Sequence, residues 1–217
     1  MNNYNNLPIG VFDSGVGGLT ACKTIQKVLS NEDVIYFGDT LNAPYGTRSN
    51  EEITALSIED VKFLLSKNVK AILIACGTIT SVCIDELRKI TDVPIIGVVN
   101  ASSIIALNAS KSKRICALAT PATTKKHAYS NYMKKINPNI ETFDLGCPKF
   151  VPLIEASKIT INDQEMVQAV NEYMSEVQAF NPDTIILGCT HFPLIEPLLK
   201  KLYPELIKLS FSNISPK

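Results

Sequence analysis

The stretch Ala71-Ile-Leu-Ile-Ala-Cys-Gly-Thr78 decides the fold class of this 217-residue chain. Its first five residues are apolar on both faces of an extended strand, which is typical of a strand in a parallel sheet with helices on each side. The cysteine, glycine and threonine then stand where the strand ends and an amphipathic helix begins. The stretch therefore predicts an α/β fold with a mostly parallel sheet flanked by helices.

Further apolar runs predict five more strands, at residues 9–12, 34–37, 95–99, 115–119 and 184–187. The segments between them have helical character. Ser49 and Glu52 match a capping box that predicts the start of one helix. Asn162 and Glu165 form a weaker box ahead of a predicted helix over 166–180.

The segment Ile185-Ile-Leu-Gly-Cys-Thr-His191 repeats the design of the first stretch: an apolar strand, a cysteine, a nearby threonine and then a helix. This repetition predicts two similar lobes, over residues 1–97 and 98–209, followed by an irregular tail over 210–217. Ligands of open α/β sheets bind outside the carboxyl ends of the strands. Two facing lobes would therefore bring both cysteines to one cleft, which is the expected active site.

The composition is that of an ordinary globular protein, with 46% hydrophobic residues and 21 basic residues balancing 21 acidic ones. Nucleic-acid-binding proteins usually carry a surplus of basic residues, and this chain has none, so nucleic-acid binding is not predicted. The N-terminus lacks the charged and apolar regions of a secretory signal, and no uninterrupted apolar run is long enough to span a membrane. We therefore expect a cytoplasmic protein with neither nucleic-acid nor membrane partners.

Two of the six cysteines are candidates for chemistry. No pair has the spacing of a metal site, so no metal ligand is predicted. A strand-to-helix turn at Cys76 and at Cys189 would place each thiol at a helix N-terminus, where the helix dipole lowers the thiol pKa. His191 follows Cys189 closely and could serve as its proton partner, whereas no histidine lies near Cys76 in sequence.

A glycine-rich segment, Asp13-Ser-Gly-Val-Gly-Gly-Leu-Thr20, follows the first predicted strand and opens a helix. Free backbone N–H groups in such a turn suit an anion. The GxGxxG pattern of dinucleotide-binding proteins is absent, so a small carboxylate fits better than a pyrophosphate. Asp13 could be a structural N-cap or a catalytic carboxylate, and the sequence leaves both readings open.

With this segment, several others resemble the glutamate racemases of the aspartate/glutamate racemase family. They are Tyr36-Phe-Gly-Asp-Thr40, Pro44-Tyr-Gly-Thr-Arg-Ser49, Ala119-Thr-Pro-Ala-Thr123, Cys147-Pro-Lys-Phe-Val-Pro-Leu-Ile-Glu155 and Gly188-Cys-Thr-His-Phe-Pro-Leu194. The similarity runs from about Pro8 to Leu202. Aspartate racemases usually carry Glu after the second Cys-Thr, whereas this chain carries His191, so the resemblance favours glutamate as the substrate.

The resemblance implies an isomerase that interconverts L- and D-glutamate without a cofactor and supplies D-glutamate for peptidoglycan. One cysteine removes the α-proton and the other delivers a proton to the opposite face. In the family pattern Cys76 serves the D-enantiomer and Cys189 the L-enantiomer, assisted by Asp13 and His191. Glu155 matches a further carboxylate near the active site. A homodimer is compatible with the resemblance, although nothing in the sequence fixes its interface.

The resemblance also implies a set of substrate-binding residues: Ser14, Pro44, Tyr45, Gly46, Gly77, Thr78, Thr120, Thr123 and Thr190. Taken singly, these positions have simpler explanations. The turn at Pro44 could be only a turn, and Thr78 and Thr190 could be only helix caps.

The chain departs from the family pattern in three places. Gly77 replaces an asparagine that holds the substrate, Asn100-Ala-Ser-Ser103 replaces Glu-Pro-Gly-Ala, and relatives continue beyond 210–217 with a segment that returns to the first lobe. The third departure predicts lower stability or self-association, because loss of a packed segment would expose apolar surface on the first lobe. The departures also keep two alternatives open: an impaired or inactive remnant that only binds an amino acid, and a racemase of another acidic amino acid.

Overall fold

The computed structural model describes residues 6–206. Within this range the chain forms two compact units that divide in sequence between Val98 and Val99. The predicted tail over 210–217 and the end of the predicted second lobe lie outside the described residues. The predicted lobe boundaries, 1–97 and 98–209, stay a prediction.

The first unit is built on a four-stranded parallel sheet. Its strands are β1 (Ile9–Asp13), β2 (Val34–Gly38), β3 (Ala71–Ile74) and β4 (Ile95–Gly97), in the order β2-β1-β3-β4. Phe12 of β1 pairs with Phe37 on one side and Ile74 on the other. The carboxyl ends of β1 and β3 therefore lie side by side where the strand order reverses, which is the usual ligand site of such sheets.

Three helices and a short 3₁₀ turn accompany this sheet in the described part of the first unit. They are α1 (Leu19–Val28), a 3₁₀ turn at Tyr45–Thr47, α2 (Asn50–Leu65) and α3 (Gly77–Arg88). The capping box predicted at Ser49 and Glu52 is confirmed, since each side chain bonds the backbone N–H of the other. Helix α3 starts directly after β3, with Cys76 as its N-cap residue.

The second unit contains a three-stranded parallel sheet. Its strands are β5 (Arg114–Ala119), β6 (Glu141–Gly146) and β7 (Thr184–Leu187), in the order β6-β5-β7. Leu118 of β5 pairs with Leu145 and Leu187. This order repeats the arrangement β2-β1-β3 of the first unit. The predicted fold class, α/β with two similar parallel sheets, is confirmed.

Helices cover both faces of the second sheet. They are α4 (Val98–Ala109), α5 (Pro121–Lys125), α6 (Ala128–Ile136), α7 (Phe150–Glu155), α8 (Gln164–Phe180) and α9 (Glu196–Leu202), with a 3₁₀ turn at Phe192–Ile195. Alternate residues of β5 belong to different cores, because side chains of a strand point to opposite faces. Leu118 packs with residues of α8 and α9, whereas Ala117 packs with residues of α4 and α6. None of the helices within residues 6–206 has the length and apolar composition to cross a bilayer.

Two expectations about secondary structure were wrong in detail, and one strand was missed. The strand predicted over 95–99 ends at Gly97, and Val98 already belongs to α4. Strand β6 was not predicted, because Glu141-Thr-Phe-Asp-Leu-Gly146 carries too many polar residues to form an apolar run. The weaker capping box at Asn162 is absent. Asp163 is the N-cap residue of α8, and its carboxylate accepts hydrogen bonds from Thr160 instead.

A close approach between the end of β2 at Gly38 and the loop after β1 leads to a stability prediction. A methyl group at Gly38 would lie closer than 3.0 Å to the carbonyl oxygen of Gly15, whereas one at Gly15 would meet only Ala43 Cβ, at 4.0 Å. Gly38→Ala is therefore expected to lower the free energy of unfolding by about 1–3 kcal/mol, the usual cost of overpacking. Gly15→Ala is the matched control and should leave it nearly unchanged. Equal urea midpoints for the two variants would contradict the steric explanation.

Candidate active-site residues

The first candidate site lies at the adjacent carboxyl ends of β1 and β3. Asp13 is the last residue of β1 and is fully buried, and its Oδ2 accepts a hydrogen bond from the backbone N–H of Gly15 at 3.1 Å. Ser14 Oγ lies 3.5 Å from Cys76 Sγ. Asp13 is not a helix cap, because α1 begins after Gly18. The structural N-cap considered for Asp13 is therefore excluded. A buried carboxyl, a hydroxyl and a thiol share one site.

The environment of Cys76 favours its protonated thiol. Burial, and then the negative charge of Asp13, raise the pKa of the Cys76 thiol to about 11, although hydrogen bonds involving Ser14 and Ile79 act in the opposite direction. The sequence predicted a lowered pKa from the helix N-terminus. That prediction is wrong, because the thiol is buried and the loss of hydration raises its pKa more than these hydrogen bonds lower it. The resulting thiol is suited to delivering a proton.

Replacing Asp13 by asparagine removes the negative charge beside Cys76 and shows how that charge affects the Cys76 thiol. Because the Asp13 carboxylate raises the pKa of Cys76, Asp13→Asn should lower that pKa and speed alkylation of Cys76 by iodoacetamide about three- to tenfold at pH 9. Mass spectrometry of the Cys76 peptide measures this rate. Asp85→Asn, an exposed carboxylate of α3, is the control and should change nothing. Slower alkylation in Asp13→Asn would contradict the electrostatic assignment.

The second candidate site lies in the second unit, just after β7. Cys189 Sγ lies 3.9 Å from Nδ1 of His191, and Nε2 of His191 lies 3.3 Å from Oε1 of Glu155 at the end of α7. The second contact has ion-pair distance but is not a well-directed hydrogen bond. His191 is buried and Glu155 is half-exposed. A thiol, an imidazole and a carboxylate thus stand in series, as a proton-transfer site requires.

The predicted helix N-terminus at Cys189 is absent. The chain turns after β7, forms the 3₁₀ turn Phe192–Ile195 and enters α9 only at Glu196. Two prolines explain the delay, because Pro193 and Pro197 lack the backbone N–H that a continuing helix would use. His191, and not a helix dipole, is therefore the neighbour that can assist Cys189.

The predicted substrate-binding residues of the first unit lie close to Cys76. Gly77 and Thr78 are buried in the first turn of α3, and Ser14 contacts Cys76 directly. Pro44 is exposed and Gly46 is half-buried. Tyr45 is buried, and its hydroxyl contacts the carboxyl groups of Asp39 and Asp60. Tyr45 can therefore offer a ligand its main chain, while its side chain anchors the turn.

In the second unit the predicted residues follow β5 and β7, which are neighbours in the sheet. Thr120 is the N-cap residue of α5, and its Oγ1 lies 3.1 Å from Oγ1 of Thr123. Thr190 follows Cys189 and is half-buried. The capping role considered for threonine belongs to Thr120, since neither Thr78 nor Thr190 is an N-cap residue.

Three polar residues of the first unit were not predicted as site residues, although two of them belong to the family motif Tyr36–Thr40. Tyr36 donates a hydrogen bond from its hydroxyl to the Gly15 carbonyl at 2.5 Å, and Asp39 and Asp60 flank the Tyr45 hydroxyl. Asp39 directly follows the end of β2, which is a recognisable signal, whereas Tyr36 lies in the middle of that strand. Asp60 lies on the buried face of α2, in helical register with apolar residues, and that register could have revealed it.

No group of three or more His, Cys, Asp or Glu side chains within residues 6–206 is arranged to hold a metal ion.

Comparison with known proteins identifies the class of this chain. The sequence profile of the Asp/Glu/Hydantoin racemase family matches residues 9–208. The chain therefore belongs to the Asp/Glu/Hydantoin racemase family, and the resemblance predicted from the motifs is confirmed.

Its similar relatives within that family are glutamate racemases. The chain is 41% identical to that of Trichormus variabilis, over 93% of this chain and 68% of the relative, and 43% identical to glutamate racemase 2 of Caldanaerobacter subterraneus, over 93% and 75%. The crystal structure of the Francisella tularensis glutamate racemase in complex with D-glutamate is 40% identical. It has a TM-score of 0.87, covering 95% of this chain and 76% of that one. The chain thus spans about two thirds to three quarters of these relatives.

Proposed function

We propose that this protein interconverts L- and D-glutamate without a cofactor, with Cys76 and Cys189 as the two acid–base groups. The observation that carries the proposal is a cysteine beside an acid–base partner in each unit, at corresponding places in two similar sheets. Asp13 lies beside Cys76, and His191 lies beside Cys189. The similarity to glutamate racemases, one of them solved in complex with D-glutamate, supports glutamate as the substrate.

Racemisation by proton transfer needs two such groups, because the proton leaves one face of Cα and another proton arrives at the opposite face. Starting from L-glutamate, the Cys189 thiolate takes the α-proton and the Cys76 thiol donates its own. The raised pKa of Cys76 favours the thiol that this direction requires. The reverse direction exchanges the two roles.

The α-proton is very weakly acidic, so the negative charge that develops on the substrate must be stabilised by positioned donors. We assign substrate binding in the first lobe, residues 1–97, to Ser14, the 44–46 turn, Gly77 and Thr78. In the second lobe, residues 98–209, we assign it to Thr120, Thr123 and Thr190. Gly77 offers no side-chain amide, and the loss of one hydrogen bond weakens binding by about 0.5–1.5 kcal/mol. The proposal therefore includes weaker glutamate binding than in relatives that carry asparagine.

The predicted physiological role follows from the same reaction. D-Glutamate made in the cytoplasm would supply peptidoglycan synthesis and thereby cell-wall formation and cell shape. We also propose that the protein forms a homodimer.

The test uses circular dichroism of L-glutamate and of D-glutamate incubated separately with the purified protein. The proposal predicts that both signals decay to zero, because the equilibrium constant of a racemisation is one. The rate of decay should be the same with and without a metal chelator. It should also be the same with and without added pyridoxal phosphate. No decay from either enantiomer would contradict the proposal. Binding of glutamate without decay would favour the amino-acid-binding alternative, and decay with aspartate alone would favour a different substrate.

A further inference from the structure

Two carboxyl groups and a phenol are buried together in the first unit, outside the residues assigned to proton transfer. The Tyr45 hydroxyl oxygen lies 2.6 Å from Oδ2 of Asp39 and 3.1 Å from Oδ2 of Asp60. Asn42 donates from its side-chain amide to both carboxyl oxygens of Asp39, at 3.1 and 2.9 Å. Asp39, Tyr45 and Asp60 are all buried, so water cannot readily supply missing partners.

Counting protons fixes the direction of this hydrogen-bond chain. A phenol has one proton and can donate only one hydrogen bond. The shorter contact and the surrounding amide donors make Asp39 the acceptor of the Tyr45 proton. The contact between Tyr45 and Asp60 is then favourable only if Asp60 carries a proton and donates it to the phenol oxygen. Asp60 therefore donates to Tyr45, and Tyr45 donates to Asp39.

The surroundings of Asp60 agree with a protonated carboxyl. Burial raises the pKa of Asp60 to about 7, with further upward contributions from Asp39 and Glu59 and a downward one from Tyr45. Within residues 6–206, no ion pair involves Asp39 or Asp60.

The hydrogen-bond chain of Asp60, Tyr45 and Asp39 connects directly to the first candidate site. The backbone N–H of Asp39 donates to the carbonyl of Asp13 at 3.1 Å, so the loop that holds Tyr45 is tied to the residue beside Cys76. The 13–18 loop also lies against this loop, since a methyl group on Gly15 would contact Ala43. The 44–46 turn, to which we assign substrate binding, is anchored by the same phenol.

We propose that Asp60 is a positioning residue for glutamate binding: its proton holds Tyr45 and Asp39 in place, and loss of that proton loosens the 44–46 turn. This inference rests on the proposed function. An ionised Asp60 would place a second negative charge beside Asp39, and no cation within residues 6–206 pairs with either carboxyl group. Arg48, the basic residue of this loop, donates to the carbonyl of Asn42 and pairs with Glu52 instead. The turn should then relax, and the Michaelis constant for glutamate should rise as the pH passes through about 7.

The test compares KM and kcat from pH 5.5 to 9 in the wild type, Asp60→Asn and Asp60→Leu. Asparagine keeps the shape and can donate to Tyr45 at every pH, whereas leucine cannot donate at all. The ratio of wild-type KM to Asp60→Asn KM should rise about five- to tenfold across this range, because an unsatisfied buried charge replaces a hydrogen bond, while the kcat ratio stays nearly constant. Asp60→Leu should have a raised KM at all pH values. Glu51→Gln, an exposed carboxylate in the first turn of the same helix, is the matched control and should follow the wild type.

A stability measurement on the same proteins is independent of activity. Because the pKa of Asp60 is raised from 3.8 in the unfolded chain to about 7, its contribution to stability is present at low pH and is lost as pH rises through 7. Asp60→Asn should therefore gain thermal stability relative to the wild type between pH 4 and 8. If the wild type racemises glutamate but its KM changes with pH in parallel with that of Asp60→Asn, the role of Asp60 is contradicted and the proposed function is not. A wild type without racemisation would overturn the proposed function and this role of Asp60, whereas the stability difference would still show the bound proton.

Discussion

Replacing either Cys76 or Cys189 by alanine is expected to lower the rate of glutamate racemisation by about 10³- to 10⁴-fold, the upper range of general acid–base contributions. Each thiol serves one face of the substrate, so neither can replace the other. Cys83→Ala is the matched control, because Cys83 is a buried thiol of α3 that no proposed step uses. It should keep nearly the wild-type rate.

The two alanine variants should also differ from each other in heavy water. If Cys76 serves the D-enantiomer, Cys189→Ala should still introduce deuterium at Cα of D-glutamate but not of L-glutamate. Cys76→Ala should show the opposite selectivity. NMR of the recovered amino acid measures this exchange. The reversed pattern would exchange the two assignments, and full racemisation by either variant would exclude a two-thiol mechanism.

Replacing His191 is expected to have the second largest effect. His191→Asn retains a polar atom near Cys189 but cannot take up the thiol proton, so kcat/KM should fall by about 10²- to 10³-fold. The fall must be equal from L- and D-glutamate, because the equilibrium constant is one. The direction appears instead in isotope effects. α-Deuterated L-glutamate should show a larger primary effect than in the wild type, because proton removal by Cys189 becomes the slow step.

Glu155 supports this assignment from the other side of the ring. Glu155→Gln should lower kcat/KM by about three- to tenfold, because it removes the charge beside Nε2 of His191 but leaves the imidazole in place. Glu172→Gln, an exposed carboxylate of the same unit that pairs with Lys149, should have no effect. A larger loss from Glu155→Gln than from His191→Asn would contradict the order of these three groups.

Local patterns predicted much of the fold but not the environment of its reactive groups. Apolar runs located six strands, and the register of β1 and β3 brings Asp13 and Cys76 together as expected. Strand β6 escaped because half of its residues are polar. The pKa of Cys76 was predicted in the wrong direction, because burial is decided by tertiary packing and not by the adjacent helix.

The remaining gaps have the same physical origin. Two prolines delay the helix after Cys189, so the imidazole of His191 replaces the helix dipole as the relevant neighbour. The contact between Tyr45 and Asp60 joins residues fifteen positions apart, and no periodic pattern encodes such a pair. A charged residue on the apolar face of α2 was the available signal, because burial of a carboxyl requires a specific partner.

The most direct test of the central claim is the isotope content of D-glutamate formed from L-glutamate in heavy water during the first few per cent of conversion. Two separate cysteines predict that nearly all of the D-product carries deuterium at Cα from the start, while the remaining L-glutamate keeps its proton. D-product that retained the original α-proton would show a single group moving the proton between faces. That result, or the absence of D-product, would contradict the roles proposed for Cys76 and Cys189.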